Sequence, residues 1–336
     1  MNFSKKDYEL LKYLVKLSQT GMMQAMGVYL RKIYNKVVIT DDYIYAEGDI
    51  PVALIAHMDT VFHKPAEHIY YDREENVIWS PEGLGADDRA GIFGIIKILQ
   101  SGRRPSVILT TDEEKGGLGA YALCKQVPQP FTELKYLIEL DRRGSNDCVF
   151  YECDNKDFET YVNSFGFKSA WGTFSDISTI CEKWKIAGVN LSIGYFDEHN
   201  KYETLFPLYM LNTITRVKKM LDDSVNVEQF EFVPSMSYYK WSKNYDWYDD
   251  YNYAYGYGEY LRVRCKVCNQ LHTDYETIPV KGINESYIIC GNCLAKKNNI
   301  DFCASCGEAF ESPTGSEHNW LCEDCKKSFV NRKGKK

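Results

Sequence analysis

Four apolar runs in the first two thirds of the chain stop abruptly on acids, hydroxyls or imidazoles. Residues 52–56 run into His57-Met58-Asp59-Thr60, residues 106–111 into Asp112-Glu113-Glu114 and residues 135–140 into Asp141, while residues 188–193 are followed by Asp197-Glu198-His199. Short bounded runs of this kind predict fully buried strands, and the polar groups at their ends need partners. Between the strands, apolar residues recur at helical spacing and predict helices over 88–101, 117–126, 155–164 and 175–183. Two more precede them at 4–19 and 22–34, and a long one follows over 205–221. Residues 37–40 and 43–46 flank Asp41-Asp42 and predict a hairpin, 68–71 with 77–79 predict a second short pair, and 148–153 predict a further strand.

This alternation predicts an α/β fold, a mostly parallel sheet with helices on both faces. In open α/β sheets, ligands sit in the crevice beyond the carboxyl ends of the strands. A Gly-rich turn, Gly83-Leu84-Gly85-Ala86-Asp87-Asp88-Arg89-Ala90-Gly91, lies between the first two runs and leads into a helix. With it, five acidic or imidazole-bearing loops are expected to converge on one rim of one sheet.

A chain of 336 residues is long enough for two domains, or for one large domain with an appendage. The composition divides it further. Residues 1–222 carry all five loops and read as a catalytic domain. Residues 223–261 read as a linker, within which positions 235–260 hold nine tyrosines and two tryptophans without apolar periodicity. Residues 262–336 hold eight of the twelve cysteines in four Cys-x-x-Cys pairs.

Charge follows the same division. Residues 262–336 contain 12 Lys+Arg and 9 Asp+Glu, a net of +3, which leaves −10 of the overall −7 for residues 1–261. An acidic front half argues against a nucleic-acid enzyme. No apolar run approaches the ~18 residues of a membrane span, and the first residues lead into a charged helix pattern, not a signal peptide. The expected location is the cytoplasm, with no membrane partner.

The tail motifs are specific. Cys265-x2-Cys268 and Cys290-x2-Cys293 are 21 residues apart, and Cys303-x2-Cys306 and Cys322-x2-Cys325 are 15 apart. Such spacing predicts two tetrahedral four-cysteine structural zinc sites, a tandem zinc-ribbon module paired in sequence order or cross-braced. Closed zinc sites do no chemistry, so the tail is expected to dock a protein partner or recruit substrate. Lys296-Lys297, Lys326-Lys327 and the basic C-terminus give weak support for nucleic acid. Cys124, Cys148, Cys153 and Cys181 lack paired spacing and are expected to be buried apolar side chains. His63 and His68 are expected at the surface.

Two catalytic zinc ions about 3.5–4 Å apart need an oxygen-rich, histidine-tipped cage with a bridging carboxylate. His57, Asp87, Glu114, Asp141 and His199 supply that inventory: one carboxylate to bridge, and one imidazole and one acid for each ion. Glu113 is then a spare acid, able to take the proton of a zinc-activated water and pass it to a leaving amine. Asp59, two residues after His57 on the same face of an extended segment, stands where it can orient Glu113 or a ligand.

The segments Ala56-His57-Met58-Asp59-Thr60-Val61, Gly85-Ala86-Asp87-Asp88-Arg89-Ala90-Gly91 and Thr111-Asp112-Glu113-Glu114-Lys115-Gly116-Gly117-Leu118-Gly119-Ala120 resemble three successive signatures of the co-catalytic di-zinc exopeptidases. The resemblance is to the peptidase T-like tripeptidase and aminopeptidase branch. It covers roughly residues 50–205 and implies His57, Asp87 and Glu114 as metal ligands, Asp87 as their bridge, Glu113 as general base and Asp59 as a catalytic-site neighbour. Asp141 and His199 match the fourth and fifth ligands less tightly. Three features depart from that branch. Only 57 residues separate Asp141 from His199, too few for its inserted lid domain, and Arg89 stands where lysine is usual. Arg142-Arg143 replace the small residues expected after Asp141, and read first as a solvated pair and second as candidates to receive a substrate carboxylate.

The expected function is a zinc-dependent metallopeptidase, an exopeptidase on short peptides. The alternatives are a zinc amidase or deacylase acting on a non-peptide amide, and an inactive peptidase-fold adaptor whose ribbons bind protein or nucleic acid.

Overall fold

The computed structural model describes residues 3–235 and, beyond them, 262–268, 271–273, 277–281, 286–290, 293, 300–302 and 309–311. The chain divides into two compact units, Met1–Tyr245 and Asp246–Lys336. The first opens with helices α1 (Lys5–Val15) and α2 (Gln19–Arg31) and the hairpin β1 (Val37–Ile39) and β2 (Tyr43–Ala46). There follow β3 (Ile50–His57), the pair β4 (Tyr70–Asp72) and β5 (Val77–Trp79), α3 (Ala86–Gln100), β6 (Pro105–Thr110), α4 (Leu118–Gln126) and β7 (Tyr136–Arg142). The unit closes through β8 (Asp147–Val149), α5 (Lys156–Ser164), β9 (Lys168–Ser169), α6 (Asp176–Trp184), β10 (Gly188–Ser192), β11 (Tyr195–Phe196), β12 (Thr204–Leu205) and α7 (Pro207–Asp223).

An eight-stranded sheet in the order β1-β2-β6-β3-β7-β10-β8-β9 carries the core. Its four central strands, β6, β3, β7 and β10, are mutually parallel, with His57 opposite Thr110, Ile55 opposite Glu139 and Glu139 opposite Asn190. Parallel pairing brings their carboxyl ends to a single rim. The crossover from β3 through α3 moves outward to β6, and the next, through α4, moves to β7 on the other side of β3. Right-handed crossovers in opposite directions put their helices on opposite faces. Accordingly α3 packs with α1 and α7, and α4 with α6. The strand order thus reverses at β3, and the crevice opens where His57 stands.

Buried runs on both faces explain why β3, β6 and β7 read as unbroken apolar stretches, since no face of a central strand meets water. Two elements differ from the sequence expectation. The strand expected at 148–153 is only Asp147–Val149, because the chain turns away at Tyr151, whose φ is 51°. Residues 227–235, expected in the linker, are stitched to the first unit. Phe230 N–H donates to the Lys135 carbonyl at 2.8 Å, Phe230 accepts from Ala187 N–H at 2.8 Å, and its ring lies 5.0 Å from that of Phe158. All 57 residues between Asp141 and His199 are described, and β8, β9 and β10 within them belong to the main sheet. Residues 236–261, most of the expected linker, lie outside the described residues.

In the second unit β13 (Arg262–Arg264) pairs antiparallel with β14 (Leu271–Thr273). A four-stranded sheet contains β15 (Thr277–Lys281), β16 (Tyr287–Cys290), β17 (Ile300–Phe302) and β18 (Ala309–Glu311) in the order β16-β15-β18-β17. Cys265, Val280, Ile289 and Ala309 form its small core.

Candidate metal centre

His57, the last residue of β3, is buried, and its two ring nitrogens face different carboxylates. Nδ1 lies 3.2 Å from Asp59 Oδ1, whereas Nε2 lies 2.9 Å from Asp87 Oδ1 and 3.4 Å from Asp141 Oδ1. An acceptor on Nδ1 keeps the proton of a neutral imidazole there, which turns the Nε2 lone pair toward Asp87 and Asp141. Burial pushes the ring toward neutrality, but Asp141, Asp59 and Asp87 outweigh it and hold the imidazole well above its ordinary pKa.

His199 approaches from the opposite side. Its Nε2 lies 3.2 Å from Asp87 Oδ2 and 3.1 Å from Glu114 Oε1, contacts that raise its pKa to about 11. The two oxygens of Asp87 are therefore divided between the two imidazoles. This produces two donor groups that share Asp87, His57 with Asp87 and Asp141, and Asp87 with Glu114 and His199, each with all its donor atoms within 4.8 Å of one another; His57 with Glu113 and Glu114 meets the same distance. Each contains one imidazole and two carboxylates, an inventory that suits zinc.

The loop that presents Asp87 is held from three directions. Asp87 (ψ 109°) and Asp88 are non-helical, so regular helix begins at Arg89, and Asp88 caps it by accepting from Gly91 N–H at 2.8 Å. The peptide between the two aspartates is cis. Glu203, fully buried, receives the N–H groups of Gly85 and of Asp87, the latter at 3.0 Å. Burial first, then the neighbouring charge of Asp87, pushes Glu203 up to about 8. Arg89, 1% exposed, reaches back across β3 and donates to the carbonyls of Met58 at 2.6 Å, Asp59 at 2.8 Å and Leu17 at 3.2 Å. Its guanidinium is a buried cation beside a crowd of acids, in a fork geometry a lysine cannot reproduce.

After β6 the chain makes one 3-10 turn, Glu113–Lys115, and Asp59 fixes it. Asp59 Oδ1 accepts from Glu113 N–H and Oδ2 from Glu114 N–H, both at 3.1 Å. Burial first, then the nearby Asp141, Asp176 and Glu114, push the Glu113 carboxyl up to about 9 against the opposing charge of His57, a repulsion among acids that a bound cation would relieve.

Asp141, at the end of β7, sits in a hydrogen-bonded socket. Oδ1 accepts from Tyr195 OH at 3.1 Å, Oδ2 from Ser175 Oγ at 3.1 Å, and its backbone N–H donates to Asn190 Oδ1 at 2.9 Å. Burial and the facing Asp87 raise it to about 7. Behind it lie two fully buried acids, Glu139, bonded to Ser175 Oγ, and Asp176, bonded to Thr110 Oγ1.

The structure thus brings His57, Asp59, Asp87, Glu113, Glu114, Asp141 and His199 together at one rim. Among the tail cysteines, the Sγ atoms of Cys265, Cys268 and Cys293 lie within 4.8 Å of one another, and Val267 N–H donates to Cys265 Sγ at 3.4 Å. Cys290 ends β16, whereas Cys303, Cys306, Cys322 and Cys325 lie outside the described residues. Cys124, Cys148, Cys153 and Cys181 are buried and free, and His68 is exposed and paired with Glu82 at 2.6 Å. Arg143 is occupied by Glu198 at 3.0 Å, and Arg142 donates to the Trp171 carbonyl at 3.1 Å. Sequence reasoning missed Glu203, Ser175, Asn190 and Tyr195, and treated Arg89 only as a departure. Glu203 had a signal available, four residues after His199 and just before a strand.

No protein-family model matches the chain, and no curated protein matches it. Among solved structures, the fold is similar to a tripeptidase from Staphylococcus aureus, with a TM-score of 0.56 at 13% identity over 66% of this chain and 99% of that one. It is similar also to the aminopeptidase PepT of Bacillus cereus, with a TM-score of 0.52 at 14% identity over 66% and 98%. A third is the TET aminopeptidase of a marine-sediment thaumarchaeote, with a TM-score of 0.53 at 12% identity over 66% and 99%. At these identities the likeness is one of fold: an α/β architecture with a largely parallel central sheet, shared with peptidases.

Proposed function

We propose that the first unit is a di-zinc peptidase that hydrolyses short peptides, with an aminopeptidase or tripeptidase type of activity. The observation that carries this reading is the division of Asp87 between two donor groups, each completed by one imidazole and one further acid. His57, Asp87 and Asp141 would hold one ion, and Asp87, Glu114 and His199 the other. A metal pair, when bound, polarises the scissile carbonyl and makes water acidic enough to attack at neutral pH.

The chain's own residues do the rest. Glu113 takes the proton of the attacking water on its carboxylate and delivers it to the nitrogen of the departing amine. Asp59 holds the Glu113–Glu114 turn and the His57 ring in register, so that base and donors keep a fixed spacing. Arg89 and Glu203 fix the backbone on either side of Asp87 by hydrogen bonds to carbonyls and N–H groups. The likeness of fold to a tripeptidase and two aminopeptidases favours peptides over other amides. The clustered Cys265, Cys268 and Cys293 support a structural zinc site in the second unit, which would serve docking, not catalysis.

The test is a peptide library incubated with the zinc-loaded full chain and read by mass spectrometry, beside Glu113→Gln. The substitution should leave the metal content intact and lower turnover by ~10²–10⁴-fold. Equal turnover in the two proteins would remove Glu113 from the mechanism, and no cleavage by the zinc-loaded wild type would remove the peptidase assignment.

A further inference from the structure

A cavity of about 450 Å³ opens beside the metal centre, and nothing in the chemistry above uses it. Its size falls in the ~300–1,000 Å³ range of pockets that hold small ligands. Asp59 and Glu114 belong both to its wall and to the centre, so the cavity is continuous with the place where the scissile bond would lie. Much of the remaining wall is apolar: Leu17 from the α1–α2 connection, Val61, Phe62 and Ala66 after β3, and Leu84 before α3. Gly83 is required at its edge, since a Cβ there would come within 2.2 Å of the Phe62 ring.

Resting on the peptidase reading, we propose that this cavity is the specificity pocket of the enzyme and takes an apolar, uncharged side chain of a residue flanking the cleaved bond. Charge decides the class of occupant. Arg89 is committed to the carbonyls of Leu17, Met58 and Asp59, Asp59 to the N–H groups of Glu113 and Glu114, and Glu114 to an ion in the reading above, so a charged side chain would lose its hydration in the cavity without gaining a free partner from these three. Lys115 is paired with Asp112 at 2.7 Å, and His63 and Lys64, also in the wall, are exposed, so their polar ends are solvated. An apolar side chain incurs no such loss and displaces water from Val61, Phe62, Ala66 and Leu84. A single methylene in a hydrophobic pocket discriminates by roughly 10- to 200-fold, so leucine and phenylalanine should be well separated from alanine.

Two substitutions test it in the zinc-loaded full chain against peptides that differ only at the residues flanking the cleaved bond. Ala66→Phe fills the cavity. It should lower the ratio of kcat/KM for phenylalanine over alanine peptides at least about tenfold. Val61 is 37% exposed and tolerates a polar group, so Val61→Asp remains informative should Ala66→Phe fail to fold. Val61→Asp places a carboxylate in the wall and should raise the ratio for lysine over leucine peptides at least about tenfold. Ratios unchanged in the folded variants would overturn the pocket. If the wild type cleaves no peptide, calorimetric binding of leucinamide and alaninamide decides the pocket on its own. Leucinamide binding tighter by about tenfold or more, and weakened by Val61→Asp, upholds it, and equal affinities refute it.

Discussion

Exchanging one oxygen of Asp59 for an NH2 group tests how the centre is held, because Asp59→Asn keeps the shape of the side chain while changing its pattern of donors and acceptors and removing its charge. The carboxylate faces three donors: His57 Nδ1 at 3.2 Å and Glu113 N–H at 3.1 Å on Oδ1, and Glu114 N–H at 3.1 Å on Oδ2. An amide has one oxygen. In its better orientation it still accepts from His57 and Glu113, while its NH2 group is driven against the Glu114 N–H. In the other it satisfies Glu114 and opposes the remaining two. The better orientation therefore leaves the part-buried Glu114 N–H unpaired, about 1–3 kcal/mol, and turns two charge-assisted bonds into neutral ones of about half the strength. The sum is about 2–6 kcal/mol, borne by the turn that carries Glu113 and Glu114 and by the His57 tautomer. Zinc affinity should fall ~10–100-fold, the usual effect of losing a partner behind a metal ligand. Competition against a chromophoric chelator measures it, and the urea midpoint measures the stability. Wild-type zinc affinity together with an unchanged midpoint would refute the role given to Asp59.

Two further predictions concern the frame around the centre. A Cβ at Gly91 would lie 2.3 Å from the Leu140 carbonyl and 2.4 Å and 2.5 Å from the Asp88 carboxylate, both tied to the backbone next to Asp141 and Asp87. Gly91→Ala should cost about 1–3 kcal/mol through overpacking and lower zinc affinity with it; thermal unfolding and chelator competition check both, and a wild-type Tm would show that α3 has room to shift. At the other end of α3, Lys97 lies 2.7 Å from Asp7, which also forms a capping box with Ser4. Burial pushes the Asp7 carboxyl up, but Lys97 and Ser4 outweigh it and hold it below its ordinary 3.8. Because the folded-state pKa is the lower one, this stabilisation is complete above the ordinary carboxylate range and is lost as pH falls through the depressed value. Asp7→Asn should destabilise the protein at pH 7 and flatten the acid limb of its stability curve; parallel acid limbs in urea titrations from pH 2 to 7 would refute it.

What could be read in the sequence, and what could not, follows from how each group is held. Buried central strands write themselves as unbroken apolar runs, so β3, β6, β7 and β10 and the groups at their ends were visible one strand at a time. Their meeting was visible too, because parallel strands with helical crossovers have one rim. The place of Asp87 on that rim followed from its position in a Gly-rich turn leading into a helix. Glu203, Ser175 and Asn190 left no comparable trace, since each acts on backbone or carboxylate groups brought close only by folding: Glu203 on residues 116 and 118 positions away, Asn190 on Asp141 across 49. The short strands β9, β11 and β12 were missed for a related reason, being two residues long and set by their neighbours, not by their own pattern. Residues 227–235 show the same limit, because a polar-looking stretch became part of the first unit through backbone bonds to Lys135, Lys185 and Ala187 that no periodicity announces.

Arg89 joins these two kinds of information. Its position in the Gly-rich turn was plain, yet its use depends on three carbonyls from two other segments, at Leu17, Met58 and Asp59. A guanidinium buried to 1% exposure would be costly alone, and burial does lower its pKa to about 10. Asp59, Asp88, Asp87 and Glu203 oppose that fall, so the acids that crowd the centre are also what allow a cation to remain buried behind it. The arrangement is reciprocal: Arg89 lowers the repulsion among the acids and anchors the strand end that carries His57 and Asp59. A cluster so rich in carboxylates is therefore held in place on this sheet with its own fixed counter-charge built into the first turn of α3.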